Sequence, residues 1–355
     1  MTSKKTGEPA AGAQGNRTPK AGVKAVPARP TMRDIAAQAG VSPMSVSRAL
    51  SGGPGVSEQT RAEVLAAVEA LGYQPNEYAR QLRTGGPTHV IALVVTHLSN
   101  PFYAELAVGV ERVAAAHGSR VMIMSTKADL DTERDVVADL HRRPVDGVIV
   151  IPATPDHRHL KELADQGRPM VFATTPPNGI DADCVTVDDF GGMRELCGRL
   201  LADGHRRIGL IGLNHAMWTG SERLRGYSAA HAEAGVKVDD KLITERSGDV
   251  AGAARATQRL LRLRQPPTAV IATNNVMTIG ALRAVRDAGA EAAVAGFDDI
   301  EFADLFGQPL TVVRYEAEQL GVRSAELLFG RLAQDDGPSA GPVRELITTS
   351  IVRYG

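Results

Sequence analysis

The sequence predicts an N-terminal all-α helix-turn-helix headpiece with a short hinge helix, followed by a two-lobed α/β core with parallel sheets. Three observations carry this. Residues 31–72 hold short helical segments, each opened by a capping residue and closed by glycine. From His89 onward apolar, β-rich runs alternate with helical stretches, the pattern of parallel sheets covered by helices on both faces. Finally, 355 residues with 43% apolar and 23% charged side chains suffice for two or three domains with buried cores, at roughly 100–200 residues per domain.

Taken in order, residues 1–30 carry six basic side chains against Glu8, a net of +5; residues 31–87 balance, and the remainder holds −6 of the overall −1. The first segment is rich in Gly, Ala, Pro, Thr and Lys and has too little apolar surface to offset its ordering entropy, so it is expected to be a disordered basic tail. Beside a small helical domain it suggests an anionic partner, or else a solubilising leader. Thr31-Met32-Arg33-Asp34 fits a capping box with Asp in place of Glu. The helix it opens, with Ile35, Ala36 and Ala39, stops at Gly40. Ser42 and Pro43 open a second helix to about Leu50, and Ser57 a third, with Val64, Leu65, Val68 and Leu71 at helical spacing before Gly72. Two short helices joined by a glycine turn, with Ala36 small at the crossing and Val46 as anchor, form a helix-turn-helix unit. The second helix then presents Met44, Ser45, Ser47 and Arg48 outward, where such a helix meets base edges in a major groove. The headpiece spans 31–75. Residues 76–87 read as a one- to two-turn helix and linker between breakers, too short to be stable alone.

In the core, 88–355, strands are expected at 90–95, 120–125, 146–151, 170–173, 207–211, 242–246, 269–272, 292–296 and 310–313. Helices are expected at 101–117, 132–141, 157–166, 190–203, 221–234, 252–263, 276–288 and 316–333. The series is too long for one sheet and splits near Val187–Asp188. The N-lobe takes about 88–187 plus 316–341 and the C-lobe about 188–315 plus 342–355, with a last crossing near Pro342. Ligands in such folds sit outside the carboxyl ends of the strands, here around a common cleft.

Thr31-Met32-Arg33-Asp34-Ile35-Ala36, Ala39-Gly40-Val41-Ser42, Val46-Ser47-Arg48-Ala49-Leu50, Leu71-Gly72-Tyr73-Gln74-Pro75-Asn76 and Ala79-Arg80-Gln81-Leu82 closely resemble the headpiece and hinge of the lactose/galactose repressor (LacI/GalR) family. The resemblance continues at lower identity through Ser99-Asn100-Pro101-Phe102-Tyr103, Val187-Asp188-Asp189, Arg223-Leu224-Arg225-Gly226-Tyr227, Asn274-Asn275 and Gly296-Phe297-Asp298-Asp299. It implies a periplasmic-binding-protein-like core and a dimeric transcription regulator, a repressor by family habit, on pseudo-palindromic double-stranded operator DNA. Thr31, Ser42, Met44, Ser45, Ser47, Arg48, Asn76, Ala79, Arg80, Leu82 and Arg83 are the DNA-contacting positions it implies. Leu82 would wedge into a base step, offsetting the unstacking by contacts the bend permits.

The resemblance also implies a small effector, a sugar or related polyol, held by Phe102, Tyr103, Asp188, Thr219, Arg223, Asn274 and Asp298. Aromatic faces suit sugar C–H faces, Arg223 offers a planar fork of donors, Asp298 accepts hydroxyl protons and Asn274 does both. Three departures bear on the ligand. Asn275 stands where many members have Asp, Val250 where several have a stacking aromatic, and Trp218 is an alternative stacking residue.

Other classes fit less well. An exported solute-binding protein shares the core but predicts a signal peptide and no headpiece; no apolar h-region opens this chain and no run reaches the roughly 18 residues of a membrane span. A cytoplasmic protein is expected. An enzyme reading on Asp188-Asp189 or Asp298-Asp299 lacks any Gly-x-Ser-x-Gly elbow, P-loop or His-Glu-x-x-His. Cys184 and Cys197 read as reduced, buried thiols, and no metal or cofactor is expected. No leucine-heptad tail follows the core, which favours a homodimer over a tetramer.

Overall fold

A computed structural model describes residues 30–73, 86–245, 248–334 and 341–355. The expected basic tail up to residue 29 and the hinge positions Asn76, Ala79, Arg80, Leu82 and Arg83 lie outside the described residues. The chain divides into two units, residues 1–83 and 84–355.

In the first unit, capping chemistry sets the helix starts. Before α1 (Met32–Gln38) the backbone N–H and hydroxyl of Thr31 both donate to Asp34 Oδ2 at 2.7 Å, and these bonds hold the Asp34 carboxyl below its ordinary pKa. Ser42 Oγ accepts from Ser45 N–H at 3.1 Å to open α2 (Pro43–Ser51), with Pro43 at the first position, where its missing N–H leaves no bond unmade. Ser57 does the same for α3 (Glu58–Leu71), which stops because Gly72 enters the left-handed region at φ 60°. Ile35, Ala36, Val46, Ala49, Val64 and Ala67 are buried together. Burying each larger one contributes at most about 1.5–3 kcal/mol. The Arg61 guanidinium donates to the carbonyls of Ala49 at 2.5 Å and Gly53 at 3.4 Å, tying α3 to the end of α2.

The second unit holds two six-stranded sheets. The N-lobe contains β1 (Val90–Val95), α4 (Pro101–Ala116), β2 (Arg120–Ser125), α5 (Leu130–Arg142), β3 (Gly147–Val150), α6 (Lys161–Asp165), β4 (Met170–Ala173) and β5 (Asp183–Val187). The C-lobe contains α7 (Asp189–Ala202), β6 (Ile208–Leu213), α8 (Trp218–Glu233), β7 (Ile243–Glu245), α9 (Val250–Leu261), β8 (Ala269–Ala272), α10 (Asn275–Asp287), β9 (Ala293–Phe297) and β10 (Leu310–Arg314). The chain then returns through α11 (Ala317–Leu332) and β11 (Arg344–Ile347) to the N-lobe and ends in β12 (Ser350–Tyr354) of the C-lobe. The first sheet runs β11-β5-β4-β3-β1-β2, all parallel; the second runs β12-β10-β9-β8-β6-β7, parallel except for the β10–β12 pair. Central strands such as β3, β4 and β8 are buried along their whole length, as a strand covered on both faces must be.

The chain passes from the first sheet to the second near 187–188 and back near 314–316. The last crossing comes at Thr348–Thr349 rather than at the expected Pro342. Arg344 to Ile347 pair in register with Cys184 to Val187, so residues 342–347 stay with the N-lobe. Strands β5, β11 and β12 were not expected, and the helix expected at 157–166 is a 3-10 turn at Arg158–Leu160 followed by the short α6. Helices α4 and α11 pack closely because Gly109 and Gly321 face one another's backbones; a methyl on either would collide with the carbonyl of Glu318 or of Leu106. No helix among the described residues is long and apolar enough to cross a membrane.

Candidate functional site

Strand ends of both sheets open onto a cleft of about 240 Å³. Thr96, Phe102, Tyr103, Pro152, Thr174 and Thr175 line it from the N-lobe; Asp189, Thr219, Arg223, Thr273, Asn274 and Asp298 line it from the C-lobe; Tyr315 sits just past the second crossing. This is the location that parallel α/β topology favours, since loops and helix N-termini converge at the carboxyl ends of strands.

Arg223 organises the C-lobe side. Its Nε and Nη2 each lie 2.7 Å from Asp189 Oδ1, and Nη2 lies 3.8 Å from Asp298 Oδ1. Its Nη1 donates to the carbonyl of Thr273, and its guanidinium carbon stands 3.7 Å from the centroid of the Phe297 ring. Burial works against the Arg223 charge, but Asp189 and Asp298 outweigh it and raise the pKa. Burial pushes the Asp189 carboxyl up to about 6; Arg223 pulls it back and Asp298 adds to the rise. Asp189 Oδ2 is buried and has no hydrogen-bond partner among the described residues. Asp298 occupies the left-handed region at φ 69°, unusual for a residue with a Cβ, and is held by the Tyr315 hydroxyl, which donates to Oδ1 at 2.9 Å.

The N-lobe side is aromatic and hydroxyl-bearing. The Phe102 and Tyr103 rings meet edge to face, centroids 5.0 Å apart, and Phe102 also lies 6.1 Å from the Tyr315 ring. The Tyr103 hydroxyl bonds that of Thr96, and burial raises its pKa. Between the lobes Asn275 Nδ2 donates to Asn100 Oδ1 at 2.9 Å, joining the start of α10 to the start of α4.

Phe102, Tyr103, Thr219, Arg223, Asn274 and Asp298 thus come together around one cavity. Asp188 does not join them. Its Oδ1 accepts from Gly191 N–H at 2.8 Å and caps α7, so its side chain turns back on the helix while the next residue, Asp189, faces the cleft. Asn274 both lines the cleft and caps α10, accepting from Met277 N–H at 2.8 Å. Trp218 does not replace an aromatic wall: it is 40% exposed and lies outside the lining, whereas Met217 and Thr219 on either side of it are in it. Val250 opens α9 outside the lining, and Gly248 lines it instead. Asp189 and Tyr315 went unrecognised in the sequence. Among the described residues no group of His, Cys, Asp and Glu is arranged to hold a metal ion.

On the headpiece, Met44 is 64% exposed and Arg48 is also exposed, while Ser45 and Ser47 are half-buried on the same helix. The hydroxyls of Ser42 and Ser45 lie 2.9 Å apart and bond one another, and Thr31 is engaged with Asp34. Met44 and Arg48 are the two long side chains the exposed side of α2 offers.

Residues 88–345 match the family described as periplasmic binding proteins and sugar binding domain of LacI family, and residues 31–76 match bacterial regulatory proteins, lacI family. The chain is 32% identical to the transcriptional regulator GalR of Escherichia coli over 91% of its length and 94% of that protein. It is 33% identical to the regulator CelR of Thermobifida fusca over 91% of its length and 97% of that protein. It is similar to the solved complex of the regulator CelR with cellobiose, with 31% identity, a TM-score of 0.69, and coverage of 92% of this chain and 99% of that one. A lac repressor dimer bound to operator, 24% identical with a TM-score of 0.76, shares the fold. With a family model spanning most of its length and relatives of this identity, the chain belongs to the LacI family of bacterial regulatory proteins.

Proposed function

We propose that the protein is a sequence-specific, DNA-binding transcriptional repressor of the cytoplasm, working as a homodimer, whose operator affinity is set by a small polar effector in the interlobe cleft. The observation that carries this reading is the union in one chain of a capped helix-turn-helix headpiece with a cleft built around the buried Arg223–Asp189–Asp298 group. Met44 and Arg48 meet base edges, and Ser42, Ser45, Ser47 and Thr31 position the helix on the backbone. The hinge positions Asn76, Ala79, Arg80, Leu82 and Arg83 engage the minor groove. Two headpieces related by a twofold axis demand a pseudo-palindromic site. Phe102 and Tyr103 stack on the effector, while Arg223, Asp298, Asn274 and Thr219 bond its polar groups. Effector binding changes DNA affinity because the ligand binds the open and closed lobes unequally, and the coupling is reciprocal.

The test is fluorescence anisotropy of the full chain on a duplex obtained by in vitro selection, with and without sugars. Tight, salt-dependent binding of the selected duplex over random DNA is expected, and Arg48→Ala should reduce that preference at one base position per half-site by about 1–3 kcal/mol if the contact is bidentate. Equal affinity for selected and random duplexes would sink the reading.

A further inference from the structure

We infer, on the effector reading above, that Asp146 is the point through which the N-lobe passes its movement to the headpiece. It pins Thr88, where the connecting chain enters the core, and so determines how strongly effector and operator binding are coupled. Among the described residues of the second unit, Thr88 is the first to hydrogen-bond a distant residue. Its backbone N–H donates to Asp146 Oδ1 at 2.6 Å and its hydroxyl donates to the same oxygen at 2.8 Å. The Thr88 hydroxyl oxygen also accepts from Val90 N–H at 3.2 Å. The Val90 carbonyl accepts from Asp146 N–H, and the His89 carbonyl from Arg120 N–H, both at 2.8 Å. Residues 88–90 are thereby tied to one another and to the starts of β2 and β3. Among them His89 is held at φ 53°, a region that a residue with a Cβ adopts only where its surroundings impose it.

Asp146 lies outside the cleft lining, at the opposite end of the strands. The six residues of β1 span about 20 Å from this clamp to Thr96, which lines the cleft. Strand β3 runs parallel to β1, from Asp146 to the lining residues Ile151 and Pro152. Both strands are buried along nearly their whole length and paired in register, and a close-packed pair of this kind moves as one body. A displacement at the cleft end therefore reaches the clamp. From there the one covalent path to the first unit is the chain before Thr88, and that path passes on a displacement only while its end is fixed. Freed from the lobe, three residues would give about 10 Å of slack, against shifts of roughly 1–5 Å in typical switching interfaces. A carboxylate suits the task, since one of its oxygens takes both Thr88 donors in charge-assisted bonds.

The experiment measures the affinity of the full chain for the selected duplex by anisotropy, with and without a saturating sugar. The probe is whichever of D-glucose, D-galactose, D-ribose and cellobiose binds tightest in isothermal titration. In the wild-type chain the two affinities should differ at least about fivefold. Asp146→Ala should bring their ratio to within about twofold of one, with sugar affinity of the free chain within about twofold of wild type. Asp146→Asn, which keeps an oxygen for Thr88, and Thr88→Ser, which keeps both donors, should retain most of the wild-type ratio. Thr88→Val loses the hydroxyl bond alone and should at least halve the ratio, so it decides where Asp146→Ala does not fold. A folded Asp146→Ala with the wild-type ratio overturns the inference, as does an unchanged ratio in Thr88→Val. Sugar affinity lost together with coupling also overturns it, because Asp146 would then merely support the lobe. Each of these leaves the effector reading standing. A wild-type chain that binds none of the four sugars, or whose operator affinity ignores the bound sugar, fails the effector reading itself and takes the inference with it.

Discussion

The two walls of the cleft are made of different chemistry. Every Asp or Arg among the described lining residues belongs to the C-lobe, and its charges are already joined to one another through Arg223. The N-lobe wall offers rings, hydroxyls, an imidazole and backbone turns. The difference follows from what each wall must withstand. Charges in a low-dielectric site need fixed partners at all times, and strands and helices of a single lobe can hold those partners however far the cleft opens. A neutral wall can leave and return without uncovering an unpaired ion. The C-lobe is therefore the preorganised half of the site.

The largest effect expected from this contrast is on Arg223→Ala. It leaves Asp189 and Asp298 facing each other without a counter-ion, and should lower folding stability by about 3–5 kcal/mol as well as abolish the effector response. Urea unfolding and anisotropy with effector read both, and a stability loss below about 1 kcal/mol would mean that the charged wall is not held together by its own pairing. On the neutral wall, Phe102→Ala should weaken effector binding about tenfold and leave operator binding in its absence unchanged, because it removes a stacking face and no charge. Titration calorimetry on the two variants separates the walls. The Asn275–Asn100 bond between the lobes is worth less. Asn275→Ala removes one neutral hydrogen bond to Asn100 and should weaken effector affinity about two- to tenfold, with Asn100 still capping α4. An unchanged affinity would show that closure does not use this bond.

The smallest effect is on pH dependence. A carboxyl whose folded pKa lies above its unfolded value favours the folded chain while protonated. Asp189, raised from 3.8 to about 6, therefore contributes fully below its unfolded value and loses that contribution as pH rises through about 6. Unfolding measured from pH 4.5 to 7.5 should show the wild-type chain losing ground to Asp189→Asn across that window. A constant difference between the two would indicate that Arg223 keeps the carboxyl ionised throughout.

What could be read from the sequence depended on how local its cause was. Thr31, Ser42 and Ser57 cap helices through residues three positions away, so the headpiece was legible in nearly every element. Phe102, Arg223 and Asp298 were recognisable as cleft positions from the family resemblance, and Phe102 and Asp298 also from their place after strands. Asp188 and Asp189 were harder, because two adjacent carboxylates differ only in whether they precede the helix or begin it. A signal was present in Gly191: any side chain there would collide with the Asp188 carboxylate, as the tight cap requires. Tyr315 carried no such mark. Strands β11 and β12 are half-exposed edge strands. The first pairs with β5, far back in the chain, and neither the pairing nor the late crossing can be seen in a local window.

That late crossing has a consequence for how the protein comes into being. Because β11 is the outermost strand at one edge of the first sheet and β12 at one edge of the second, neither sheet is whole until residues 344–354 have been synthesised. The lobes cannot mature one after the other on the ribosome, as beads on a string would. They wait for the same stretch, and a nascent chain cut short before it would leave the mostly buried strands β5 and β10 as sheet edges, open to association with other chains.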